Sequence, residues 1–306
     1  MGVTSAKAFP MSRSPVPTEE PAPSGEAPKE EPRRTAASPK VVASRLTRRL
    51  DRFLSGRGVR VAAAARDLST GRSYVYHGDL RLPTASVSKV DILMALLLDT
   101  PWRELDARTR RDAERMIRIS DNAAADRLYE RIGLQDGLAR ANRRFGLGAT
   151  YAPPGRCAGL YCWGITQTVA EDQVRLVGIL AGHRDLLPEG DREQVLGLMR
   201  KVVARQAWGI SAAVCDGGRV ALKNGWLHHV ANRLWAVASV GLIREPGHDY
   251  AVAVLTEDGP SKDAGIAVAE GTARRVLAAF RGGECANGAG RPPTGAEDQA
   301  ALSTSR

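Results

Sequence analysis

Ser86 and Lys89 are the pair whose types and spacing could do the most chemistry. A serine hydroxyl is a weak nucleophile until a base lies within hydrogen-bond reach of it. If residues 86–98 form a helix, Ser86 and Lys89 share a face, because positions three apart are neighbours there. The run 87–98 (VSKVDILMALLL) is apolar on nearly every side, as in a helix surrounded by other elements. A lysine in such a place is desolvated, and a second cation such as Lys223 adds to the pressure to lose a proton. Lys89 then becomes a base for Ser86. The plainer alternative is an amphipathic helix whose lysine reaches up to solvent.

Two further clusters follow. Ser120-Asp121-Asn122 precedes the helix-forming run 123–129 and, taken alone, also reads as a helix N-cap. Lys223-Asn224-Gly225-Trp226 lies in the strand-like run 220–227, where glycine permits close approach of the backbone to a ligand. Asn-Gly is equally a hairpin signal, although strand-like residues continue on both sides of it.

In the order Ser-x-x-Lys, Ser-Asp-Asn, Lys-x-Gly, the three clusters resemble the active site of the serine β-lactamases and penicillin-binding proteins. Within that superfamily the chain looks most like the class A β-lactamase-like serine hydrolases of actinobacterial type. The resemblance covers residues 42–281 and implies an α+β fold: a mostly antiparallel sheet flanked by helices, plus a helical subdomain, with the site between them. It implies that Ser86 attacks a carbonyl, that Lys89 takes its proton, and that Ser120 with Lys223 passes a proton to the leaving group. Asn122 would hold the acyl side chain. The backbone N–H groups of Ser86 and Trp226 would form the oxyanion hole, with Asn224, Gly225 and Trp226 along the substrate edge. Arg233, ten positions past Lys223, is either a bidentate carboxylate contact or an exposed turn residue. The implied substrate is a small molecule or peptide with a carboxylate: a β-lactam, or an amide or ester shaped like one. No metal or cofactor is needed.

The elements that must position these residues are partly legible. Residues 59–66 and 72–77 read as strands around Ser69-Thr70-Gly71. Residues 220–227, 235–243 and 250–256 read as an antiparallel meander punctuated by Gly241, Pro246 and Gly247. Thr166-Gln167-Thr168 leads into a helix, and a closing helix spans 263–280.

Departures from the family pattern matter as much. Class A β-lactamases carry a loop glutamate that activates the deacylating water, yet residues 142–168 contain no Asp or Glu. The nearest acids, Glu171 and Asp172, read as first-turn residues that favour the helix dipole. A positioned base is worth about 10²–10⁴ in rate, so the acyl-enzyme is expected to hydrolyse slowly. Asn224 stands where a hydroxyl residue is usual, and Ser120 follows Ser86 by only 34 positions, which points to a trimmed helical lobe. These departures leave two competing readings open: a penicillin-binding or sensor-type protein with a long-lived adduct, or a biosynthetic transacylase.

Composition sets the bounds. The first 40 residues hold eight of the 17 prolines, a composition that buries too little to fold. Residues 1–41 and 282–306 are therefore expected to be disordered tails around one domain at 42–281. No stretch of the N-terminal tail is apolar enough for a signal sequence or membrane span, whereas the family works outside the cytoplasm. Localisation thus stays open. The formal charge of +10 raises nucleic-acid binding, but scattered arginines and 5% aromatic content speak against it. A monomer is expected. Cys157 and Cys162 could close a staple in the acid-free loop. Cys215 reads as a small buried hydrophobe and Cys285 as part of the tail.

Overall fold

A computed structural model describes residues 1–2, 39–157, 159–283 and 285. The expected tails lie almost wholly outside these residues. At the first boundary, helix α1 (Pro39–Leu54) begins slightly before position 42.

Five strands form one antiparallel sheet: β1 (Arg60–Asp67), β2 (Ser73–Tyr76), β7 (Arg219–His228), β8 (Trp235–Glu245) and β9 (His248–Gly259), in the order β2-β1-β9-β8-β7. The meander β7-β8-β9 is as expected, and the β1–β2 hairpin adds to it through β9. The sheet thus comes from both ends of the domain. Two short pairings stand apart from it: β3 (Leu82–Pro83) with β6 (Gln167–Thr168), and β4 (Arg156–Cys157) with β5 (Leu160–Tyr161).

Alternation along the strands feeds two cores. On one face Val61, Ala63, Ala65, Leu222, Val252 and Val254 pack with α1 and the closing helix α8 (Lys262–Arg281). On the other, Ala62, Ala64, Val240, Ala253 and Leu255 meet the helical lobe. Because both faces are covered, these strands are apolar at nearly every position rather than at every second one. The lobe comprises α2 (Ser88–Asp99), α3 (Ala107–Arg118), α4 (Asn122–Arg131), α5 (Leu134–Phe145), α6 (Ala170–Leu180) and α7 (Glu189–Arg200).

Helix α2 is buried from Ser88 to Leu97, which accounts for its apolar sequence on all sides. Sequence-local caps set the starts of α3, α4 and α8. Asp106 accepts from Thr109 N–H at 2.8 Å, Asp121 from Ala124 N–H at 2.9 Å, and Ser261 from Ala264 N–H at 3.1 Å.

Both pairs of cysteines are disulfide-bonded, Cys157–Cys162 and Cys215–Cys285. The second bond corrects the expectation for Cys215 and Cys285. The chain past α8 turns back to the segment before β7, so two residues 70 apart in sequence become neighbours. No helix among the described residues is long and apolar enough to cross a membrane.

Candidate active site

Ser86 lies in a single 3-10 turn (Ala85–Val87) that runs straight into α2. The turn is anchored from behind, where Thr84 N–H donates to Thr166 O at 2.8 Å and β3 pairs with β6. Ala85 is held at φ 46° and Ser120 at φ 60°. Non-glycine residues in this region cost roughly 1–3 kcal/mol each and are retained where the surroundings fix them, often at functional sites.

Lys89 is fully buried. Its Nζ donates to Ser120 O at 2.7 Å, to Ser120 Oγ at 3.0 Å and to Asn122 Oδ1 at 2.7 Å. From the opposite side, buried Lys223 donates to the same Ser120 Oγ at 3.1 Å and to Asn224 O at 2.7 Å. With two N–H donors on its oxygen, the Ser120 hydroxyl is left to donate its own proton elsewhere. Among the described residues the Ser86 hydroxyl makes no hydrogen bond, so the base pair inferred from spacing is adjacent but not joined. Such contacts often tighten only when substrate is bound.

Burial lowers the Lys89 pKa from 10.5 to about 7, against an upward pull from Asp121 and Asp126. Lys223 lies well below its usual value, first through burial and then through the neighbouring Lys89 charge. The repulsion between the two lysines is mutual, as the sequence suggests, and burial is the larger cause of both shifts. Two buried ammonium groups converging on one oxygen cannot both hold their protons cheaply.

Gly225 answers the question its sequence posed. It sits within β7, opposite Ala238, and the hairpin turn falls later, between His228 and Trp235. A Cβ at Gly225 would stand 2.4 Å from Ser86 N and 2.9 Å from Thr84 O, so only glycine lets β7 lie this close to the Ser86 turn. As β7 is an edge strand, alternate backbone N–H groups on its outer side lack a strand partner.

Two expected substrate residues are placed differently. Asn224 is buried, and its Nδ2 donates to Gln206 O at 2.7 Å and Trp208 O at 2.8 Å, so this amide secures the segment before β7. Its direction follows from strand alternation, which turns it away from its neighbours Lys223 and Gly225. Arg233 is an exposed residue of the β7–β8 turn at φ 58°, and is not gathered with the others.

Four residues in this neighbourhood escaped the sequence. The Trp163 ring lies 4.8 Å from Lys89 Nζ, and the Trp163 indole donates to Asp126 Oδ1 at 2.7 Å. Trp208 packs on Trp226 with ring centroids 6.1 Å apart, and Lys262 Nζ lies 5.0 Å over the Trp226 ring. Only Asp126 had a local signal: it follows Asn122 by one helical turn and shares its face. Of the acids after the loop, Asp172 is structural as well as dipolar: it is buried and accepts from Ala149 N–H and Thr150 Oγ1, both at 2.8 Å.

The fold is that of the class A β-lactamase-like serine hydrolase superfamily. Residues 106–280, more than half of the chain, match the beta-lactamase enzyme family, and the chain belongs to it. The matched stretch begins after Ser86 and Lys89; the fold comparison reaches further. PBP-A superposes with a TM-score of 0.66 at 21% identity, covering 78% of this chain and 97% of that one. A point mutant of PBP-A in an acyl-enzyme complex with penicillin G gives the same values. TLA-1 extended-spectrum β-lactamase gives 0.69 at 15% identity, covering 78% and 99%. These likenesses establish the fold. A search of curated proteins finds no match.

Proposed function

We propose that the protein is a serine hydrolase of the class A β-lactamase-like type, acylated at Ser86 by a β-lactam or a related amide or ester. The observation that carries this reading is the convergence on the Ser120 hydroxyl of two fully buried lysines, Lys89 three residues after Ser86 and Lys223 two residues before the Gly225 that packs on the Ser86 turn. Lys89, whose pKa burial lowers to about 7, takes the Ser86 proton as Oγ attacks the carbonyl carbon. The developing oxyanion is met by the N–H groups of Ser86 and Trp226. Ser120 gives its proton to the leaving nitrogen or oxygen as that bond breaks, and recovers one through the lysines. Asn122, whose Oδ1 is held by Lys89, keeps its amide N–H groups for the acyl side chain.

Lys223 favours an anionic substrate when protonated, and Lys262 Nζ lies 5.0 Å over the ring of Trp226, whereas Arg233 is exposed in the β7–β8 turn. Lys262 is therefore the better candidate for the substrate carboxylate.

Deacylation is slow in this reading. The stretch 142–168 offers no acid, and the hydrogen bonds of Lys89 run to Ser120 and Asn122. That combination favours a penicillin-binding or sensor-type role over an efficient penicillinase. Intact-protein mass spectrometry after mixing with a penicillin tests it, with Ser86→Ala as control. An adduct that requires Ser86 and persists for many minutes is the expected result. Rapid decay to free protein would overturn the slow step, and no adduct at all would move the search to ester and peptide substrates.

A further inference from the structure

The acid-free loop is tied to one face of α4. Asn122, Asp126 and Glu130 follow each other at single-turn spacing, so they form one stripe on that helix. Asn122 holds Lys89. Asp126 Oδ1 accepts from the Tyr161 N–H at 3.2 Å and from the Trp163 indole at 2.7 Å. The Tyr161 hydroxyl donates to Glu130 Oε1 at 2.6 Å. The stripe therefore holds the catalytic lysine at one end and the loop along the rest.

Trp163 is 3% exposed, and its ring covers the Lys89 ammonium. An ammonium has three N–H donors, and here three acceptors take them: Ser120 O, Ser120 Oγ and Asn122 Oδ1. With these bonds made, protonated Lys89 has no N–H left for a water; once neutral it has one lone pair, and the Trp163 ring 4.8 Å away narrows the approach of a water to it. Hydrolysis of an acyl-enzyme needs such a water. Its oxygen must bond to the ester carbonyl while a base takes one proton; the bond to Ser86 Oγ then breaks, and a proton returns to that oxygen. A neutral lysine next to the ester is itself a competent base if water can reach it.

We propose that Asp126 is a positioning residue that pins Trp163 against Lys89 and so shields the Ser86 acyl-enzyme from water. This rests on the acylation proposed above, and it adds a cause of slow deacylation beyond the missing loop acid. A built shield, rather than mere absence of a base, explains why a large aromatic side chain is buried at the polar centre of the site. It also assigns a role to a carboxylate that the acylation step does not use.

Two readouts test it. In the first, Trp163→Ala and Asp126→Ala are acylated with a penicillin and the adduct is followed by mass spectrometry. Decay roughly tenfold faster than wild type or more is expected, a fraction of what a fully positioned base supplies. Asp126→Asn keeps an acceptor oxygen and is expected to recover most of the lost lifetime. An unchanged lifetime in Trp163→Ala would overturn the shield.

The second readout does not depend on acylation. Lys89 is labelled with acetic anhydride and quantified by peptide mass spectrometry, with circular dichroism and the continued protection of buried Lys223 confirming the fold. Lys89 is expected to be protected in wild type and in Asp126→Asn, and labelled in Trp163→Ala and Asp126→Ala. Equal labelling in wild type and Trp163→Ala would overturn the shield even if no penicillin adduct forms. Labelling in Trp163→Ala but not in Asp126→Ala would remove Asp126 from it.

Discussion

Lys89 and Lys223 both donate to the Ser120 hydroxyl oxygen, and neither reaches solvent. The chemistry proposed here depends on which of them is neutral. Acylation needs Lys89 without its proton, and its pKa of about 7 means that the competent fraction grows as pH rises through 7. The groups acting on Lys89 are Lys223 from β7 and Asp121 and Asp126 from α4. Removing the negative charge with Asp126→Asn takes away an upward pull, so the midpoint of the acylation profile should move to lower pH. A midpoint that stays put or moves to higher pH would contradict this. Lys89→Met should lower the acylation rate by about 10²–10⁴. The same substitution should also stabilise the fold. Between about 7 and 10.5 the unfolded chain holds a proton that the folded Lys89 lacks, so stability rises with pH across that window. Thermal melts of Lys89→Met should therefore gain most at pH 7 or below and little near pH 10. At this scale the grouping of Lys89, Ser120 and Lys223 was legible because their types are rare together in that order. The direction of Asn224 within its strand and which of the two readings of Arg233 the turn favours were not, because both are tertiary facts.

At the scale of elements, α2 carries Lys89 on one side and a second buried group on another. Asp91 is fully buried; Asn142 faces it, yet neither Asp91 oxygen has a partner in hydrogen-bond geometry among the described residues. Burial, helped by the Asp172 charge, raises its pKa from 3.8 to about 8. Between those values the folded state holds a proton that the unfolded state has lost, so stability falls as pH rises across the window. Asp91→Asn should leave the melting temperature almost unchanged near pH 4 and raise it increasingly up to pH 8. A gain independent of pH would show that Asp91 is not buried as its neutral acid. The element map was largely readable: both N-terminal strands, the meander and the closing helix fall within a few residues of where pattern and turns put them. What could not be read was the loop at 151–168. Its order comes from Asp126 and Glu130 on α4, and no periodicity within the loop announces them.

Across the whole molecule, two disulfides frame the domain, and no free cysteine remains among the described residues. Structural disulfides persist in oxidising compartments. Thiol titration of the denatured, unreduced protein should find no reactive cysteine. Cys285→Ser opens a loop closed over 70 residues and should cost roughly 2–4 kcal/mol, or about 5–15 °C in melting temperature. A melt unchanged by Cys285→Ser would mean that the C-terminal bridge contributes nothing to the fold. This bridge was invisible in the sequence, because Cys215 and Cys285 meet only once α8 has packed along the sheet.

The most direct test of the account is the rate of adduct formation at Ser86 with a penicillin, measured by mass spectrometry from pH 5.5 to pH 9 alongside Ser86→Ala. The rate is expected to rise through about pH 7 and then level, as Lys89 loses its proton, with no adduct in the control. A rate independent of pH, or an adduct that survives Ser86→Ala, would contradict it.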